Sequence, residues 1–196
     1  LEEMAALVER LEVVFWEVFF LVPTGRGTGL PGLTADQCED LFPILQRVQD
    51  KKKFIVKVTE APHYRRFLRQ RHEREIGRAV HQEAGQSVPL AQRGVNAGNG
   101  FLFISHLGEI YPSGFLPVPA GSVRRDRLAA VYRESPLFRS LRDPEQLRGV
   151  CGQCPFRVSC GGSRSRAFAV TGDWLESDPW CSYQPAGLQP APRPHT

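Results

Sequence analysis

The chain has 196 residues, 41% hydrophobic and 23% charged, which is ordinary globular composition, long enough for one or two domains and for a core without disulfide staples. The formal net charge is +4. There is no signal peptide and no apolar run long enough to span a bilayer, so a soluble cytoplasmic protein without a membrane partner is expected.

Leu1, Met4, Leu7, Val8 and Leu11 recur at helical spacing, so the chain should open on an amphipathic helix. VVFWEVFFLV, Val13 to Val22, is rich in β-branched and aromatic residues and reads as a buried strand of the parallel type. The glycine-rich stretch from Pro23 to Gly32 is expected to be a loop. Thr34 and Gln37 form a capping-box signal for a helix of roughly fifteen residues, which Pro43 should kink or divide. FIVKV, Phe54 to Val58, reads as a second buried strand followed by the loop TEAPHYRR. Strand, helix, strand implies parallel pairing through a right-handed crossover. Functional residues of such sheets gather at the carboxyl ends of the strands, here Pro23 to Gly29 and Thr59 to Arg66. Two strands cannot make a stable sheet alone, so a piece of a larger βα protein is expected.

Residues 67–93 read as helical and then irregular. The basic excess lies in residues 63–78 and 122–127. With Glu73 and Glu75 as internal partners, a solvated helix face is favoured over a nucleic-acid site, because no recognised nucleic-acid motif accompanies the charge. From Gly94 the character changes. FLFIS, HLG and EIYPS give a hairpin with Gly108 at its bend. RDRLAAVYRE reads as a helix, interrupted at Ser135-Pro136 and resumed in LFRSLRD, and a short helix should run from Ser163 to Thr171. The Pro-rich end after residue 183 should be disordered.

Four of the five cysteines lie between Cys151 and Cys181 in a CX2CX5CX20C pattern, which in a cytoplasmic setting reads as metal-binding before it reads as disulfides. Gly161 and Gly162 allow close backbone approach, and Asp178-Pro179 is a turn signal that returns the chain to Cys181. Zinc takes four thiolates tetrahedrally, and a [4Fe-4S] cluster takes one per iron. All-cysteine zinc sites usually carry two CX2C knuckles and this chain has one, so the spacing favours the cluster, with a zinc-binding structural or nucleic-acid-binding adaptor as the alternative.

The run GNGFLFISHLGEIYPSGFLP, then SPLFRSLRD, then CGQCPFRVSCGGSRSRAFAVTGDWLESDPWC, resembles the SPASM domain of radical S-adenosylmethionine (radical SAM) proteins, near the branch of the heme-pathway maturases. The preceding VPTGRG and TEAPHYRR loops are similar to the last strands of the radical SAM barrel. The resemblance implies an α/β chain: residues 1–93 form the carboxyl-terminal part of a barrel, and residues 94–183 form a small α+β domain. It makes Cys151, Cys154, Cys160 and Cys181 the ligands of one auxiliary [4Fe-4S] cluster, Cys38 being a core or surface residue. Full SPASM domains hold a second cluster; its ligand positions fall near Asn96, Ser113 and Arg164, none of which is a thiol. The catalytic CX3CX2C of the radical SAM barrel is absent from this sequence. S-adenosylmethionine is therefore expected only with the missing N-terminal half, alongside a peptide or tetrapyrrole substrate and an electron donor. Arg26, Thr59 and Glu60, with His63 and Tyr64, are candidates for the shared cavity, Arg26 facing a carboxylate of S-adenosylmethionine or of the substrate. His72, His81 and His195 read as surface residues, and His106 as part of a hairpin turn.

Overall fold

A computed structural model describes residues 1–79 and 94–187. The expected irregular stretch after residue 79 and most of the Pro-rich tail, with His81 and His195, lie outside them. Among the described residues no helix is long and apolar enough to cross a membrane.

The first part is helix, strand, helix, strand, helix: α1 (Glu2–Arg10), β1 (Phe15–Phe19), α2 (Ala35–Lys51), β2 (Ile55–Thr59) and α3 (His63–Ala79). β1 and β2 pair in parallel, Phe15 opposite Ile55 and Phe19 opposite Thr59. A single 3-10 turn, Gly25–Gly29, punctuates the glycine-rich loop. The α2 capping box is complete: the Thr34 hydroxyl accepts from Gln37 N at 3.1 Å, and the Gln37 side chain accepts from Thr34 N at 2.8 Å. Pro43 does not divide this helix. Phe42 and Leu45 on either side of it are fully buried, and that apolar burial offsets the lost backbone hydrogen bond.

The segment expected as a buried strand is shorter, and its side chains alternate. Trp16 and Val18 pack toward Ala5, Val8, Val48 and Val56 of α1, α2 and β2. Phe15 and Phe19, on the other face, are each 46% exposed. A parallel strand is buried on both faces only when layers cover both, and here the helices cover one. The expected TEAPHYRR loop is also shorter. α3 already begins at His63, with Tyr64 N on Ala61 O at 2.9 Å and Arg65 N on Pro62 O at 3.0 Å. His63 and Tyr64 are drawn in by Phe42, whose ring lies 4.9 Å and 5.3 Å from theirs.

In the second part, β3 (Phe103–Ile104), β4 (Glu109–Tyr111) and β5 (Gly121–Ser122) form an antiparallel sheet. Gly108, at φ +85°, makes the first bend. α4 (Leu128–Glu134) ends at Ser135, and Pro136 opens α5 (Pro136–Arg142), where a first-turn proline loses no helical bond. Then come α6 (Gly149–Gln153) and α7 (Arg164–Thr171), the latter capped by the Ser163 hydroxyl. The basic face of α3 carries the ion pairs Arg69–Glu73 and Arg71–Glu75, as a solvated face should.

Candidate metal centre

The four clustered cysteines arrive at one place by local rules. Cys151 rides on α6, and Cys154 is the residue that ends it. A tight turn follows, with Arg157 N on Cys154 O at 3.0 Å and Cys160 N on Phe156 O at 2.8 Å. Gly161 and Gly162 both take positive φ, +67° and +63°, and redirect the chain into α7. A β-carbon at Gly162 would stand 3.1 Å from Cys151 Sγ and 2.8 Å from the Asp178 β-carbon, so the glycine keeps this wall open. The Asp178 turn closes with Cys181 N on Asp178 O at 3.2 Å. Cys151, Cys154, Cys160 and Cys181 thus line a single cavity of about 60 Å³, with Arg66, Arg157 and Tyr183 at its wall. That is several times the ~10–15 Å³ one water needs.

All five cysteines are free thiols. Burial pushes the Cys151, Cys154 and Cys160 thiols up, and Cys181 up to about 12. Four half-buried thiols with raised pKa become thiolates most readily against positive charge, which a metal group supplies. Donors already point at the sulfurs. Gly162 N donates to Cys160 Sγ at 3.4 Å, Asp178 N to Cys151 Sγ at 3.5 Å, and Arg164 Nη2 to Cys151 Sγ at 3.7 Å. Among the described residues no three Cys, His, Asp or Glu side chains converge as a single-ion site requires. Cys151, Cys154, Cys160 and Cys181 line one cavity, so the donor set and the cavity fit a thiolate-bound metal group. Cys38 is elsewhere: it is fully buried on α2 in the aromatic core, and burial holds its thiol up at about 12.

Beneath the cavity lies a polar network that the sequence did not announce. Arg166 and Asp178 are both fully buried and paired through two bonds of 2.8 Å. Burial alone would raise the Asp178 carboxyl, but Arg166 chiefly, with Ser163 N, holds it well below the usual carboxylate range. Arg166 also donates to Glu60 O at 2.9 Å and lies 4.5 Å from the Trp180 ring centre. The Ser163 hydroxyl donates to the Glu60 carboxylate at 2.7 Å. The carboxyl end of β2 is therefore bolted to the cysteine-bearing segment. His63 packs beside this network, and burial lowers it to about 4, so its imidazole is neutral there.

Thr59 and Glu60 line a second, larger cavity of about 510 Å³, between the end of β2 and the β3–β4 hairpin. Tyr64, Arg65, Asn96, Ser113, Phe101 and Phe103 share it. Glu60 stands at φ +55°, a conformation unusual for a side-chain-bearing residue, and burial raises its carboxyl. Arg26 is exposed in the 3-10 turn and does not line this cavity, and His63 does not reach it either. Asn96, Ser113 and Arg164 are absorbed by hydrogen bonds. Asn96 donates to Gly162 O at 2.6 Å, and the Ser113 hydroxyl accepts from Phe115 N at 3.1 Å. Arg164 donates to Trp174 O at 2.9 Å and Glu176 O at 2.7 Å.

No protein-family model matches the chain. The AdoMet-dependent heme synthase of Methanosarcina barkeri is 39% identical over 180 residues, 91% of this chain and 51% of that protein. The AdoMet-dependent heme synthase of Nitratidesulfovibrio vulgaris is 36% identical over 191 residues, 96% of this chain and 52% of that protein. The mycofactocin maturase MftC of Mycolicibacterium smegmatis is 29% identical over 92% of this chain and 43% of its own length. The chain thus spans about half the length of the curated relatives it matches. With these relatives aligned along almost the whole of it, the chain belongs to the radical SAM/SPASM family and corresponds to the carboxyl half of its proteins.

Proposed function

We propose that this chain is the carboxyl portion of a radical SAM/SPASM enzyme that matures a peptide or a tetrapyrrole, and that it binds one auxiliary [4Fe-4S] cluster. In this reading residues 1–93 complete the barrel and residues 94–183 form the SPASM-type domain. The observation that carries it is the single cavity ringed by four free cysteines at CX2CX5CX20C spacing. When bound, the cluster supplies one-electron transfer to or from the neighbouring cavity, or helps to position the substrate there.

The residues of the chain do the rest. Cys151, Cys154, Cys160 and Cys181 would each hold one iron of the cluster, which would leave none open for direct substrate ligation. Gly161 and Gly162 shape the wall. Asn96 lines the large cavity and bonds Gly162, whose N–H reaches Cys160 Sγ, so cavity and metal site are joined through one short run of bonds. Thr59 and Glu60 face the substrate from the strand end. S-adenosylmethionine and its catalytic cluster belong to the amino-terminal half, because CX3CX2C is absent here.

The experiment loads the chain with iron and sulfide anaerobically, reduces it with dithionite and adds S-adenosylmethionine. The cluster should accept one electron, its paramagnetic signal should not change on addition, and no 5′-deoxyadenosine should form. Release of 5′-deoxyadenosine, or a changed signal, would show an open iron and overturn the assignment.

A further inference from the structure

Four arginines lie near the clustered cysteines, and they are not equivalent: Arg66 and Arg157 line the cavity itself, while Arg164 reaches Cys151 Sγ and Arg65 lies behind Cys160. Arg66 is paired with Glu39 and also donates to Gln70 at 2.7 Å, and Arg157 is paired with Glu145 at 2.8 Å. Arg164 and Arg65 have no carboxylate partner among the described residues. Arg164 is 1% exposed and spends its donors on the carbonyls of Gly162, Trp174 and Glu176 and on Cys151 Sγ. Arg65 donates through Nη2 to Val95 O at 2.9 Å, while its Nη1 is buried without a hydrogen-bond partner. That nitrogen fills the place a side chain on Gly94 would take, beside the carbonyl of Ser159, the residue before Cys160. Burial lowers the Arg65 guanidinium, and the Cys160 sulfur acts against that.

The Arg164 guanidinium is buried and the half-buried Arg65 side chain holds one buried, unpartnered nitrogen, and such charge without a countercharge is costly, so an anion is the natural complement of these two. A four-iron core with four thiolates is that anion: it formally carries two negative charges when oxidised and three after taking up one electron. We infer that Arg164 and Arg65 are positioning residues for redox poise, holding the bound cluster at a raised reduction potential so that it serves as an electron acceptor for the large cavity. This rests on the cluster reading above. The direction follows from charge alone. Positive charge held in a dry site stabilises the more negative, reduced form over the oxidised one. Arg65 lines the large cavity and holds its Nη1 beside the Ser159 carbonyl, next to Cys160 in sequence.

The test is a potentiometric titration of the full, anaerobically loaded chain, with dithionite as the one-electron reductant and the paramagnetic signal as readout. Arg65→Gln should keep its iron and move the midpoint negative. At fixed poise the ratio of reduced to oxidised cluster should fall about tenfold, which is ~59 mV for a one-electron couple. Arg164→Gln should move it the same way. Arg65→Lys and Arg164→Lys, which keep the charge, should recover most of the shift. If Arg164→Gln sheds its iron because three carbonyls lose their donor, the Arg65 pair of variants carries the test. Loaded Gln variants with unmoved midpoints would overturn the proposal and leave the cluster reading intact. Loss of the cluster from both Gln variants would make the arginines structural and overturn it too. A wild-type chain that takes up no iron and sulfide would defeat the cluster reading itself.

Discussion

Arg166→Met is expected to be among the most destabilising single substitutions in the chain, costing about 3–5 kcal/mol. Arg166 is fully buried, and its partner Asp178 is fully buried. Removing the guanidinium leaves a carboxylate in the interior with, among the described residues, only the N–H groups of Ser163 and Trp180 donating to it. It also frees the carbonyls of Glu60 and Leu21, which Arg166 now satisfies at 2.9 Å and 3.4 Å. Those bonds tie the ends of β1 and β2 to the cysteine segment, so the loss should spread beyond the pair. Denaturant unfolding should show a lower midpoint with little change in slope, and the loaded protein should lose iron faster, because Asp178 N is a donor to Cys151 Sγ. A cost below about 1 kcal/mol would place the pair among the weak surface bridges and contradict its role as the joint.

Cys181→Ala should cut the iron retained per chain several-fold, and Cys38→Ala should leave it unchanged. Cys181 lies on the cavity with the other three cysteines, held by the Asp178 turn. Without it one iron faces solvent and the bound group becomes labile. Amide exchange should rise across residues 151–181, where few regular elements hold the backbone. Cys38 packs with Phe20, Phe42 and Leu45, so its loss is a small core deletion of about 1 kcal/mol with no effect on metal. Iron that survives loss of Cys181 but falls with loss of Cys38 would reverse the assignment.

Much of this architecture is legible in the sequence where local chemistry dictates it. The Thr34–Gln37 box, the Ser135-Pro136 break, the Gly108 bend and the parallel pairing across α2 all follow from rules that act within a few residues. The cysteine spacing likewise brings four thiols to one cavity. What the sequence hid depends on long-range burial. The short helix from Ser163 to Thr171 is legible, but not that Arg164 and Arg166 on it are among the most buried of the described side chains. Nothing in RSRAF distinguishes an interior arginine from a surface one, because the carboxylate and carbonyls that satisfy it lie far away in sequence. His63 was expected on a loop and lies in the aromatic core for the same reason: Phe42, twenty-one residues earlier, supplies the wall. Pro43 failed to divide α2 because tertiary burial outweighed a local penalty.

The account turns on what the four sulfurs hold, and one measurement reaches it directly: iron, acid-labile sulfide and zinc per chain in protein prepared and loaded without oxygen. The account predicts about four irons and four sulfides per chain, with zinc absent and all four clustered cysteines protected from alkylation. One zinc per chain, resistant to exchange and with no uptake of iron or sulfide, would contradict it and make the centre a structural knuckle.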